Sequence, residues 1–144
     1  MKLLIVNGPN LNLLGIRERE IYGNRDYDAL CRCIREEAAK LGAEVEIYQS
    51  NHEGAIVDRI QQAHFDGTED IVINPAAYTH TSIAILDALK AVQLPCAEVH
   101  LSDVNTREVF RRISYAGMAC GAHFIGLGFD GYRQAMEWLC SVAK

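Results

Sequence analysis

Residues Ile71–Val92, IVINPAAYTHTSIAILDALKAV, decide the fold. Ile71, Val72 and Ile73 form a short β-branched run without polar alternation, the pattern of a strand buried on both faces. Asn74-Pro75 then ends it, because proline has no N–H to continue a ladder. From Thr79 to Val92 the period changes to helical, with Ile85, Leu89 and Val92 on one stripe. The same unit recurs on either side. Upstream, Leu3–Val6 precedes a helix over Asp26–Leu41, and Val45–Tyr48 precedes one over Glu53–Phe65; their stripes are Leu30/Ile34/Leu41 and Ile56/Ile60/Ala63. Downstream, Cys96–His100 is followed by a short helix near Arg107–Ile113. Ala122–Leu127 is followed by a last helix near Gly131–Val142, striped by Tyr132, Met136 and Leu139.

Five strand–helix units predict an α/β fold of three layers, a five-stranded parallel sheet between helices. At this length the flavodoxin-like strand order 2-1-3-4-5 is favoured. The 144 residues suit one domain, 1–144, with a core large enough to fold without staples. A hydrophobic share of 49% and a charged share of 23% are those of an ordinary globular chain. The net charge of −5, with no run of Lys or Arg, argues against nucleic acid or an anionic membrane as partner. Cys31, Cys33, Cys96, Cys120 and Cys140 are odd in number and lack metal-site spacing, so they read as reduced core thiols. Cys31 and Cys33 point to different helix faces. The opening MKLLIVNG has neither the apolar length nor the cleavage site of a signal peptide, and no run spans a bilayer; the expected location is the cytoplasm.

In such sheets ligands bind at the carboxyl ends of the strands, near the switch in winding direction. The polar residues there lie in 7–23, 50–53, 74–82, 100–107 and 126–131. The first connection is long for a βα loop, and residues of about 11–24 are expected to form a lid over the site. Composition alone reads equally as a structural loop, but a Tyr and an Arg on such a segment, Tyr22 and Arg17, can meet above the pocket with Asn10. A phenol of pKa about 10 becomes a base when a cation favours phenolate, at ~1.4 kcal/mol per unit of depression. Thr79–Ser82 reads as a helix start capped by Thr79 or Thr81, and also as a place where His80 and hydroxyls meet a carboxylate or ring hydroxyl. Glu98 and His100 share a strand face, which makes His100 either a salt-bridged strand-end residue or a general acid whose tautomer the carboxylate fixes. The backbone N–H groups of Leu101 and Ser102 leave the strand at the same point.

Two patterns read as structural. Ser50–Glu53 and Asn105–Glu108 fit capping boxes. Gly126, Gly128 and Gly131 imitate a dinucleotide fingerprint, but too little chain follows for the ribose-binding strand, so the glycines read as a tight turn beside the pocket. Lys2, Lys40, Lys90 and Lys144 fall away from the carboxyl edge, which leaves a Schiff base without an amine. His52, His64, His80, His100 and His123 show no metal-ligand spacing, so a catalytic metal is not expected.

NGPNLNLLGIREREIYG at 7–23, NPAAYTHTS at 74–82, EVHLS at 98–102 and Phe110-Arg111 together resemble the type II 3-dehydroquinate dehydratases, in order and spacing, over nearly the whole chain. The resemblance implies reversible dehydration of 3-dehydroquinate to 3-dehydroshikimate through an enolate, without cofactor, in a homo-oligomeric dodecamer built from trimers. It makes Tyr22 the base that takes the proton beside the ketone and Arg17 the residue that holds it as phenolate. Asn10 positions a water against the enolate oxygen, and His100 protonates the departing hydroxyl. Asn74, His80, Leu101, Ser102 and Arg111 contact the substrate's carboxylate and hydroxyls, while Asp87 reaches in from a neighbouring subunit. The chain departs from the family pattern at Arg19, where Pro is usual, and at Asp103, where Asn is common. Val104-Asn105-Thr106 lacks a frequent His-Ala, and Ile113 replaces a frequent His. The competing reading is a non-enzymatic binding or signalling module on the same fold, such as a flavin carrier or receiver domain. Asn74 in place of a phosphoacceptor Asp, and the lack of a Ser/Thr-rich phosphate loop in GPNLNLLG, argue against it.

Overall fold

The computed structural model describes residues 1–16, 20 and 25–142. Five strands, β1 (Lys2–Asn7), β2 (Glu44–Gln49), β3 (Asp70–Asn74), β4 (Cys96–His100) and β5 (Ala122–Ile125), pair in parallel in the order β2-β1-β3-β4-β5. This is the expected order. Four longer helices run among the described residues: α1 (Tyr27–Lys40), α2 (Glu53–Ala63), α3 (Ile83–Val92) and α4 (Asp130–Val142).

Alternate side chains of the central strands feed two separate cores, because neighbours along a strand face opposite ways. Leu3 and Ile5 of β1, Val72 of β3 and Val99 of β4 pack with Leu30 and Ile34 of α1 and with Tyr132, Met136 and Leu139 of α4. On the other face Leu4, Val6, Ile71 and Ile73 meet Ile56 and Ile60 of α2 and Ile85, Leu89 and Val92 of α3. Each fully buried Leu or Ile stabilises the fold by about 1.5–3 kcal/mol relative to exposure. The chain turns back after β2, and right-handed crossovers then place α1 on one face and α2 and α3 on the other. The winding therefore reverses between β1 and β3, at Asn7 and Asn74, which are register partners.

Three expectations change. The fourth crossover holds no α-helix near Arg107–Ile113; it is built from 3-10 turns at Val104–Thr106, Val109–Arg112 and Ala116–Ala119. Val109, Phe110 and Ile113 are exposed, so that stretch offers no apolar face to the sheet, and Ala116 enters the core instead. The helix expected from Thr79 begins at Ile83 after a 3-10 turn over Ala76–His80, and its cap is Ser82, whose hydroxyl accepts from the Ile85 N–H at 3.0 Å. Neither capping box forms. Ser50 Oγ accepts from the His52 N–H, and His52 stands at the cap position of α2 without a side-chain cap bond; near the second box Asp103 caps the turn at Val104–Thr106 and Glu108 precedes the next one. Of the cysteines, Cys31 and Cys96 are buried and the other three half-buried.

Candidate active site

The carboxyl ends of β1, β3 and β4 are drawn together by close backbone packing. Gly8 donates its N–H to the Asn74 carbonyl at 2.8 Å, and a Cβ on Gly8 would stand 2.3 Å from the Pro75 carbonyl oxygen, so only glycine fits. Beyond Gly8 the chain turns through Asn10, whose φ of 69° lies in the left-handed region that asparagine tolerates better than most residues. Asn51, in the loop after β2, fixes that turn by accepting from the Asn10 N–H at 2.9 Å. Gln49 braces it further with a bond from Nε2 to the Gly8 carbonyl at 3.1 Å.

Behind the site a buried polar chain crosses the switch point. The Tyr132 hydroxyl donates to Asn7 Oδ1 at 2.7 Å and accepts from Asn74 Nδ2 at 3.0 Å, and Asn7 Nδ2 donates to the Tyr27 hydroxyl at 3.2 Å. Burial pushes the Tyr132 phenol well above its ordinary value, so it stays a neutral hydroxyl that anchors Asn74.

A cleft of about 130 Å³ opens over this base. Its walls include Asn10, Asn74, His80, His100, Leu101, Ser102 and Arg111, seven of the residues singled out in the sequence, together with Arg107. Two guanidiniums reach this cleft, a group whose planar donors suit a carboxylate, and that of Arg111 is braced through its Nε by Glu108 Oε2 at 2.6 Å. Asp103 does not line the cleft, and its carboxylate accepts from the Asn105 N–H at 3.0 Å, so the added anion serves the turn. Asp87 is exposed on α3 and forms no part of this wall. Arg17, Tyr22 and the unusual Arg19 lie outside the described residues, as does much of the expected lid; its described part is a 3-10 turn at Leu11–Leu13, the residues to Ile16, and Glu20.

The two imidazoles of the cleft differ in state. His80 Nδ1 lies 2.7 Å from the Ile113 carbonyl, which can only accept, so Nδ1 carries the proton and Nε2 is left as an acceptor. Burial, with the nearby His100 and Arg111 charges, holds its pKa below the ordinary 6.5 and keeps the ring neutral, ready to receive a ligand hydroxyl. His100 Nε2 lies 2.9 Å from Glu98 Oε2, and both side chains are buried. Burial alone raises the Glu98 pKa, but hydrogen bonds from His100, Ser114 and His123 and the charge of His100 outweigh it, lowering the pKa to about 2. An ionised Glu98 can only accept, so His100 donates from Nε2 and keeps Nδ1 for proton exchange with a ligand.

The glycine run after β5 behaves as a turn beside the cleft. Gly126 and Gly128 take φ of 77° and 59° and donate to the carbonyls of His100 and Leu101 at 3.0 Å each. Sequence reasoning did not pick out Gln49, Tyr132, Ser114 or His123 for the site, and it read Asn51, within the strand-end range 50–53, as part of a capping box. Register brings in Gln49, opposite Asn7, and His123 on β5, opposite Glu98 on β4, while tertiary packing brings in the others, and no local pattern carries either signal.

Comparison with known proteins gives the arrangement its relatives. The family profile described as Dehydroquinase class II matches residues 1–140. The 3-dehydroquinate dehydratase of Lachnospira eligens is 51% identical over 144 residues, covering 99% of this chain and 98% of its own. Among solved structures, the type II dehydroquinase of Butyrivibrio crossotus superposes with a TM-score of 0.95 at 54% identity, over 96% of this chain and 97% of that one. The type II dehydroquinase of Propionibacterium acnes does so with a TM-score of 0.92 at 42% identity, over 97% and 96%. With its profile, sequence and fold all matched along nearly the full length, this chain belongs to the class II dehydroquinase family.

Proposed function

We propose that the chain is a hydro-lyase that reversibly dehydrates 3-dehydroquinate to 3-dehydroshikimate, a step of the shikimate pathway, by acid–base elimination through an enolate. The observation that carries the reading is the meeting of Asn10, Asn74, His80, His100, Leu101, Ser102 and Arg111 around one cleft in a chain of this family. Family membership sets the non-enzymatic module aside.

In this reading residues 1–144 work as a single catalytic domain, and the lid at about 11–24 brings Tyr22 and Arg17 over the ketone. The Tyr22 phenolate, held ionised by the Arg17 guanidinium, removes the proton beside the carbonyl. Asn10 positions a water against the enolate oxygen, stabilising charge that develops only in the transition state. His100, its ring fixed by Glu98, gives a proton to the leaving hydroxyl, which departs as water. Arg111 and the N–H groups of Leu101 and Ser102 hold the carboxylate, while Asn74 and the neutral His80 take ring hydroxyls.

The mechanism uses neither metal nor cofactor, and no imine forms. Lys2 bonds the Asp66 carbonyl at 2.9 Å and Lys40 pairs with Glu37 at 2.9 Å, both far from the cleft, which supports an imine-free route. Asp87, exposed on α3, serves the cleft of a neighbouring subunit, so the active form is a homo-oligomer, a dodecamer built from trimers, in the cytoplasm.

Steady-state kinetics of Tyr22→Phe test the reading. The phenolate role predicts a loss of about 10²–10⁴-fold in kcat on 3-dehydroquinate. Turnover near the parent rate would remove that role. Borohydride added during turnover is expected to leave activity intact, and substrate-dependent inactivation would restore an imine mechanism.

A further inference from the structure

Glu98 does more than face His100. Its carboxylate, 1% exposed, sits among three donors: His100 Nε2 at 2.9 Å and the Ser114 hydroxyl on Oε2, and His123 Nδ1 at 2.7 Å on Oε1. Gly117 donates its N–H to Ser114 Oγ at 2.9 Å, which orients that hydroxyl, and a Cβ on Gly117 would stand 2.6 Å from Glu98 Oε1. The 3-10 turn at Ala116–Ala119 is thus shaped around this carboxylate. His123 belongs to the edge strand β5, opposite Glu98 in register, and its side chain is 46% exposed. It approaches Glu98 from Oε1, whereas His100 is bound through Oε2.

We infer that His123 is a positioning residue for the proton donor: through Glu98 Oε1 it fixes the rotation and basicity of the carboxylate that holds His100. A carboxylate can rotate about its terminal torsion, which is broad. With donors on both oxygens it has one orientation, and Oε2 is then held where His100 Nε2 needs it. The His123 bond also draws electron density from the carboxylate, which weakens its pull on the His100 proton and makes that ring the better acid. Ser114 supports the same setting from Oε2. His123 is not among the residues that line the cleft, so its effect falls on proton donation and leaves substrate binding alone.

The inference rests on the reading of His100 as proton donor, and two substitutions separate the possibilities. His123→Leu keeps the bulk and removes the donor. His123→Asn retains an N–H donor at the δ position, in reach of Oε1, without a titrating ring. On 3-dehydroquinate, His123→Leu is expected to lower kcat about tenfold with KM within about twofold of the parent, and His123→Asn to recover most of the loss. A kcat unchanged in His123→Leu, or a loss that His123→Asn does not repair, overturns the inference.

A parent inert toward 3-dehydroquinate would instead overturn the function, and the ring then decides the positioning claim without turnover. The proton resonance of the His100 Nε2–H, assigned through its loss in His100→Asn, is expected to shift in His123→Leu and return in His123→Asn. An unmoved resonance overturns the claim. Should His123→Leu fail to fold, Ser114→Ala tests the same carboxylate from its other oxygen, with the same resonance shift expected and an unmoved one counting against it.

Discussion

Glu98 shows how a single side chain is written into both stability and chemistry. Its pKa of about 2 lies below the ordinary glutamate value of 4.5 because the cost of burial is outweighed by hydrogen bonds from His100, Ser114 and His123, which favour the ionised form. A depressed carboxylate contributes stability that is fully present above 4.5 and is lost as pH falls toward 2; the gap corresponds to on the order of 3 kcal/mol. Denaturant unfolding of the parent and of Glu98→Gln should therefore differ most at neutral pH and converge between pH 4.5 and 2. A difference that stays constant across that window would mean that Glu98 is not ionised in the fold. The pairing with His100 was legible in the sequence, since residues two apart on a strand share a face. The bonds to Ser114 and His123 were not, because one depends on a loop that returns at a separation of 16 residues from Glu98 and the other on cross-strand register.

At the scale of elements, periodicity located strands better than it located helix starts. β4 has the predicted bounds, and β1, β2 and β3 each extend the predicted run by one residue at either end. Thr79, Thr81 and Ser82 are all competent caps, and the choice among them was made by tertiary structure: Thr79 is buried and its carbonyl accepts from the Tyr115 N–H at 2.8 Å, which holds the chain in a 3-10 turn. The helix begins only after that turn. Ser82→Ala is expected to destabilise the protein by about 1 kcal/mol, and Thr81→Ala by no more than a few tenths, in equilibrium unfolding. The reverse ranking would place the cap where the local pattern suggested. The missing fourth helix has a similar cause, since a stretch whose apolar side chains all face outward gains nothing from a longer helix.

For the molecule as a whole, the doubly wound order followed from alternation and crossover handedness, and the location of the cleft followed from the winding reversal between β1 and β3. The residues that touch the cleft were legible because they sit at strand ends in the family's own motifs. Those that brace it from behind, Tyr132 with Asn7 and Asn51 with Asn10, join positions far apart in the chain and emerge only from the packed fold. Asp87 belongs to this scale too, being exposed on α3 and away from its own cleft. If it serves a neighbour, Asp87→Ala and Tyr22→Phe subunits, each impaired alone, will regain activity when unfolded together and reassembled, because some mixed interfaces then join an intact Asp87 to an intact Tyr22. Activity no greater than the sum of the two variants would place Asp87 outside the site.

The central claim is that this cleft eliminates water from 3-dehydroquinate. Purified protein mixed with that compound should produce a rising ultraviolet absorbance as the conjugated enone of 3-dehydroshikimate forms, with no metal or cofactor added. A flat trace from folded protein would contradict the account.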